Sequence, residues 1–117
     1  QGVPKICGYE AKWVAESTEY QKSKPVCPAP LEWVMKKRLE HIATRVFRLF
    51  ECRDYARVDF RIDRDGKIYV LEVNPNPDIS PQSGMTRALK AQGTTYIEFV
   101  GNLIERAVQR KNGEVKR

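Results

Sequence analysis

The chain has 117 residues, 41% hydrophobic and 31% charged, which allows one modest core and excludes a disordered tail. No apolar run approaches the ~20 residues that cross a bilayer, and no charged-then-apolar leader is present, so a cytoplasmic, non-membrane protein is expected. The formal charge of +6 admits a polyanionic partner, but Lys36-Lys37-Arg38, Arg110-Lys111 and Lys116-Arg117 are scattered and read as solvated surface. A nucleotide or other small anionic ligand is the next reading of that charge.

Residues 2–8 read as a short strand. From Tyr9 to Pro28 no periodicity is sustained, and Ser17, Thr18, Ser23, Pro25 and Pro28 mark a long loop of the kind that forms a lid or stays disordered. Pro30 suits the first position of a helix, where its missing N–H costs nothing. Leu31, Met35, Leu39, Ile42, Val46 and Leu49 recur every three or four residues, which predicts an amphipathic helix over 31–51. Two strands follow, at 56–63 and 67–74, joined at Arg64-Asp65-Gly66-Lys67, where Asp-Gly is a strong hairpin signal. Asn74-Pro75-Asn76-Pro77-Asp78 then forbids regular structure. A short helix is expected from about Pro81 to Gln92, stopped at Gly93. Thr95 and Glu98 form a capping-box pattern that opens a last helix with a core stripe of Ile97, Val100, Leu103, Ile104, Ala107 and Val108. Residues 111–117 should fray.

Cys7, Cys27 and Cys52 are odd in number and lack CxxC spacing, and His41 is the only histidine. A zinc site wants paired thiolates or nearby histidines. Reduced thiols and a surface histidine at the edge of a helical stripe are the simpler reading.

The hairpin carries the most chemical information. A turn centred on Asp65-Gly66 pairs Val58 with Val73, Phe60 with Leu71 and Ile62 with Tyr69, giving one apolar face. The other face then sets Arg57 opposite Asn74 and Asp59 opposite Glu72. Two carboxylates facing each other across a ladder repel, and a divalent cation would turn that repulsion into attraction. Asp59, Glu72 and Asn74 all offer oxygen, which suits a hard ion such as Mg²⁺. Alternatively, both acids pair with Arg57 and Arg61 on a solvated sheet face.

Arg57-Val58-Asp59, followed thirteen residues after Asp59 by Glu72-Val73-Asn74 and a proline-bearing loop, resembles the ATP-grasp metal motif. The longer string at 56–78, ARVDFRIDRDGKIYVLEVNPNPD, is most similar to the D-alanine–D-alanine ligases. Tyr9-Glu10-Ala11-Lys12 with Cys27-Pro28-Ala29 resembles their mobile active-site loop at 9–28, and the likeness continues through Ser80-Pro81-Gln82-Ser83. The resemblance implies an α+β fold: the C-terminal part of an ATP-grasp domain, an antiparallel sheet with a metal-binding hairpin and helices packed on one side. It implies two magnesium (or manganese) ions, one on Asp59 and Glu72 and one on Glu72 and Asn74, with ATP as co-substrate. Arg57 would stabilise the oxyanion of a tetrahedral intermediate. Lys12 would reach the transferred phosphate as the lid closes. Ser83 would take the substrate carboxylate, although as a residue by itself it reads equally as a helix N-cap.

The same resemblance implies a cytoplasmic ligase of peptidoglycan synthesis whose partners are ATP and small amino-acid-like substrates, with a homodimer possible for the full-length protein and no nucleic acid or membrane. No G-x-G-x-x-G or G-x-x-x-x-G-K-[ST] loop is present, so the nucleotide-gripping lobe is expected before Gln1. The chain over 1–117 is then a C-terminal fragment, inactive alone. Trp13 stands where the family usually has tyrosine, Asp78 where it usually has glycine, and Gly84 where it has a larger apolar residue. These departures surround the acceptor site and leave the acceptor amine open. The rival readings are an inactive relative and a small basic binding module without chemistry. Against the module, Trp13, Trp33, Phe60 and Tyr69 fall on the loop or at core positions rather than in an exposed stacking row.

Overall fold

The computed structural model describes residues 24–113. Its elements are α1 (Trp33–Leu49), β1 (Arg57–Ile62), β2 (Ile68–Asn74), α2 (Gly84–Ala91) and α3 (Tyr96–Lys111), an α+β arrangement around one two-stranded antiparallel sheet. The expected strand at 2–8, Lys12 and most of the 9–28 loop lie outside the described residues, as do 114–117. Residues 24–32 have no regular structure. None of the described helices is long and apolar enough to cross a membrane.

Pro30 does not begin α1. Leu31 N donates to Ala29 O at 2.8 Å, so the backbone turns tightly about Pro30. Glu32 then caps the helix from an extended conformation, φ −63° and ψ 150°. Met35, Leu39, Ile42 and Val46 of the predicted stripe are half-buried, whereas Leu31 and Leu49 at its ends are exposed. α1 contacts both strands. The helices do not all lie against the sheet as expected: α2 and α3 pack on each other, because the chain after Asn74 leads away through two prolines.

The three helices close with a residue in left-handed backbone conformation. After α2, Gly93 has φ +86°, with Thr94 N donating to Leu89 O and Gly93 N to Lys90 O, both at 3.0 Å. After α1 the same pair of bonds forms, Cys52 N to Phe47 O at 3.0 Å and Glu51 N to Arg48 O at 3.1 Å, but the left-handed residue is Glu51, φ 51°. Glycine meets this geometry without a Cβ clash and glutamate does not. The expected helix over 81–92 is shorter, since Ser83 is its N-cap at φ −66° and ψ 161°.

α3 opens with the predicted capping box: Thr95 Oγ1 accepts from Glu98 N at 3.2 Å, and Glu98 Oε2 accepts from Thr95 N at 2.8 Å. Its buried face differs from the predicted stripe. Phe99 is the buried hydrophobic residue, with Val100 and Leu103 half-buried, while Ile97, Ile104 and Val108 are 83%, 60% and 52% exposed and Ala107 is exposed too. The face is rotated because α3 is anchored to the segment that enters β1. Tyr55 meets Phe99 edge to face with ring centroids 5.8 Å apart, and Arg110 forks onto Asp54 at 2.6 and 2.8 Å. Helix also continues through Lys111, the first residue expected to fray.

Glu51→Gly is therefore expected to stabilise the full-length protein by about 0.5–1 kcal/mol. Asp54 is also left-handed, φ 62°, but Asp54→Gly should destabilise by about 1 kcal/mol, because it leaves a half-buried Arg110 without its fork. Denaturant midpoints at unchanged slope check both signs. The Thr95 backbone bond, then the Thr95 hydroxyl, hold Glu98 below its usual 4.5. Its stabilising contribution is thus complete above 4.5 and is lost as pH falls through the lower native value. Glu98→Gln should flatten that part of the acid unfolding curve of α3, read by amide exchange, and leave the curve near neutrality unaltered in slope.

Candidate metal site

The hairpin turn is not the two-residue turn expected. Asp63 N donates to Lys67 O at 3.0 Å and Gly66 N to Asp63 O at 3.1 Å, leaving a three-residue connection over 64–66 that ends in Gly66 at φ +79°. The Asp63 carboxylate fixes it, with Oδ1 accepting from Asp65 N at 3.0 Å and Lys67 N at 2.8 Å. A Cβ on Gly66 would stand 3.8 Å from Met35 Cε, so the turn lies under α1.

This turn pairs Ile62 with Ile68, Arg61 with Tyr69 and Phe60 with Val70, correcting the expected Phe60–Leu71 and Ile62–Tyr69 pairs. Carried on unchanged, that register would set Asp59 opposite Leu71. It does not continue. The ladder shifts between Asp59 and Phe60, and beyond the shift Asp59 faces Glu72, Val58 faces Val73 and Arg57 faces Asn74, as predicted. One extra residue in β2 offsets the longer turn. The sequence signal for it was the break of alternation in Ile68-Tyr69-Val70-Leu71.

Arg57 spans the two acids. Its Nε donates to Asp59 Oδ1 at 2.7 Å and its Nη2 to Asp59 Oδ2 at 3.1 Å, and Nη2 also reaches Glu72 Oε1 at 3.5 Å. The Asp59 bond, ahead of the charges of Asp59 and Glu72, raises the Arg57 guanidinium above its already high ordinary value. With side chains 47%, 37% and 58% exposed for Arg57, Asp59 and Glu72, the contribution to stability is about 1 kcal/mol or less. Asn74 Oδ1 accepts from Asn76 N at 2.9 Å, which begins the turn into the proline loop and leaves the amide oxygen a second lone pair.

Among the described residues no group of three or more His, Cys, Asp or Glu side chains is placed to hold a metal ion. Two carboxylates and an amide oxygen make an open half-shell, which suits magnesium bound largely by water and phosphate oxygens rather than a closed protein cage. Arg61 pairs with neither acid. Ser83 is 7% exposed, and its hydroxyl accepts from Thr86 N at 3.2 Å, the N-cap contact of α2. Asp78 turns back on its own loop, Oδ1 accepting from Ser80 N at 2.8 Å and Oδ2 lying 3.2 Å from Ser80 Oγ. Trp33 and Tyr69, expected in the core, are 70% and 42% exposed, each with a lysine ammonium 5.9 or 5.2 Å from its ring centroid. Cys27 and Cys52 are free thiols and His41 is exposed. A cleft of about 940 Å³ between the end of α1 and α3 is lined by Arg48, Cys52, Arg53 and Arg106 and by none of the predicted site residues.

Residues 3–105 match the protein family described as D-ala D-ala ligase C-terminus. The chain belongs to this family. It is 35% identical over 101 residues to a Sinorhizobium fredii protein named "Uncharacterized protein y4sG", covering 86% of this chain and 30% of that protein. A D-alanine--D-alanine ligase of Cupriavidus metallidurans is 32% identical over 99 residues, 85% of this chain and 29% of the relative. One of Alcanivorax borkumensis is 35% identical over 105 residues, 90% of this chain and 33% of the relative. The chain thus spans about a third of the length of these curated relatives.

The donor set predicts that Mg²⁺ or Mn²⁺ raises the melting temperature of the full-length protein as its concentration increases, the added stability growing with the logarithm of concentration to about 2.7 kcal/mol at a hundredfold excess over Kd. Glu72→Gln should abolish that rise while the metal-free protein keeps its stability or gains slightly. Differential scanning calorimetry with monovalent salt at equal ionic strength separates the effect from screening, and an unchanged response in Glu72→Gln defeats the donor assignment.

Proposed function

We propose that the full-length protein is an ATP-dependent ligase that joins a carboxylate to an amine through an acyl phosphate, with ATP cleaved to ADP and phosphate. The observation that carries this reading is the Asp59–Glu72 pair held face to face with Asn74 beside it and the Arg57 guanidinium across it. Asp59 and Glu72 would hold one magnesium ion, and Glu72 and Asn74 a second. Bound there, the ions supply the positive charge that offsets the phosphate oxygens during phosphoryl transfer.

The chain's own residues supply the rest. Arg57 donates to the oxyanion that develops when the amine attacks the acyl phosphate. Lys12 meets the transferred phosphate from the active-site loop. Ser83 accepts the Thr86 N–H at the α2 cap and keeps its O–H to donate, so it receives the substrate carboxylate with help from the backbone N–H groups of that helix start. Asp78 places a carboxylate where a glycine is usual in the resembling ligases, so D-alanine is not assigned as acceptor; an amino acid or another amine-bearing acceptor is. The nucleotide is gripped together with polypeptide outside this chain, and the chain alone is inactive. The setting is cytoplasmic.

Full-length protein incubated with Mg²⁺-ATP and a panel of amino acids should release ADP and inorganic phosphate in an amine-dependent manner, read by nucleotide chromatography. AMP and pyrophosphate would exclude the acyl-phosphate route. No turnover with any amine, alongside intact Mg²⁺-ATP binding, would identify an inactive relative. Salt-sensitive binding to oligonucleotides without turnover would favour the basic module instead.

A further inference from the structure

The Arg57 fork also bears on how a cation would reach Asp59 and Glu72. A bidentate fork on Asp59 covers the inner lone pairs of both carboxylate oxygens, and Nη2, 3.1 Å from Asp59 Oδ2 and 3.5 Å from Glu72 Oε1, lies where an ion bridging the two acids would sit. The two acids are cross-strand neighbours whose backbones are held opposite each other by the register, so their charges stay close. Arg61, the next residue on the same face of β1, makes no ion pair with either acid, and Arg57 is the cation bonded to both. A guanidinium and a divalent ion on the same pair of carboxylates repel as like charges within a few ångströms of each other, so the two compete.

We propose that Arg57 is the internal counter-cation of the empty site, and that a divalent ion displaces it from Asp59 and Glu72, so that loading the ion is what releases the guanidinium toward substrate. The inference rests on the metal reading of Asp59 and Glu72. It goes beyond that reading by making one side chain serve in turn as the ion's stand-in and as the oxyanion donor, which withholds the donor until the cation is present. Exposure of the site keeps the competition mild, so displacement is easy.

Two measurements on the full-length protein without nucleotide test it. Mn²⁺ binding followed by electron paramagnetic resonance should be roughly three- to tenfold tighter in Arg57→Gln than in the wild type, with Arg57→Lys between them, because lysine keeps the charge but not the fork. The metal-free Arg57→Gln protein should also melt lower, since its acids lose their counter-ion. In the wild type, the Arg57 Nε–H resonance, assigned by its loss in Arg57→Lys, should exchange with water a few-fold more slowly without metal than after Mg²⁺ is added. Mn²⁺ binding in Arg57→Gln but none in the wild type supports the proposal. Mn²⁺ affinity equal or weaker in Arg57→Gln, or an Nε–H unaffected by Mg²⁺, overturns it and leaves the metal reading standing. No Mn²⁺ binding in either protein, or binding that survives Glu72→Gln, removes the metal reading and the proposal with it.

Discussion

The site depends on a one-residue irregularity in a two-stranded ladder. A three-residue turn at 64–66 and an extra residue in β2 shift the register in opposite senses, and their combination sets Asp59 against Glu72 and Arg57 against Asn74. Side chains alternate along a strand, so either device alone would move Glu72 to the face that carries Val58, Phe60 and Ile62. The polar constellation is therefore a property of the turn and the bulge together. Bulges that re-aim a side chain beside a functional site are a recurrent use of this geometry.

Around that ladder the supporting contacts are polar and local rather than a deep core. Among the described residues Phe99 is the buried hydrophobic one, and Tyr55 meets it edge to face just before β1. The Asp54–Arg110 fork, with side chains 15% and 24% exposed, fastens the same entry segment to the far end of α3. Two different kinds of contact thus hold the root of the strand that carries Arg57 and Asp59. The Asp63 carboxylate does the equivalent at the other end, gathering two backbone N–H groups of the turn. Neither end relies on the exposed surface ion pairs, which contribute little.

Large apolar side chains stay exposed on α1, α3 and β2: Trp33, Leu49, Leu71, Ile97 and Ile104 are all at least 60% accessible. Such side chains are free to be covered by further polypeptide. The named relatives carry some two thirds of their length outside the matched region. The two facts agree, and they explain why hydrophobic periodicity overstated the buried face of α3. Periodicity reports which residues can be covered. Which are covered here is set by the anchor at Tyr55 and Asp54.

The sequence by itself determined the number and order of the described elements, the capping box at Thr95 and Glu98, and the glycine stop at Gly93; it set Asp59 opposite Glu72 through a two-residue turn, which the structure replaces with a longer turn and a compensating bulge. Each follows from local chemistry: spacing, cap residues and strand alternation. It also carried the family resemblance, because motif spacing is a property of the chain. Tertiary structure decided what local rules leave degenerate. Asp-Gly fits both a two-residue and a three-residue turn, and only the pairing of Asp63 with Lys67 under Met35 selected the second. Pro30 fits a helix start and a tight turn alike, and the bond from Leu31 to Ala29 chose the turn. Ser83 lies at a position where the helix start decides what its hydroxyl accepts from, and Thr86 N–H is that partner. Arg57 could pair with either acid or neither. Its fork onto Asp59 and reach to Glu72 arise because the bulge brings both carboxylates within the length of one guanidinium, a distance no sequence pattern encodes.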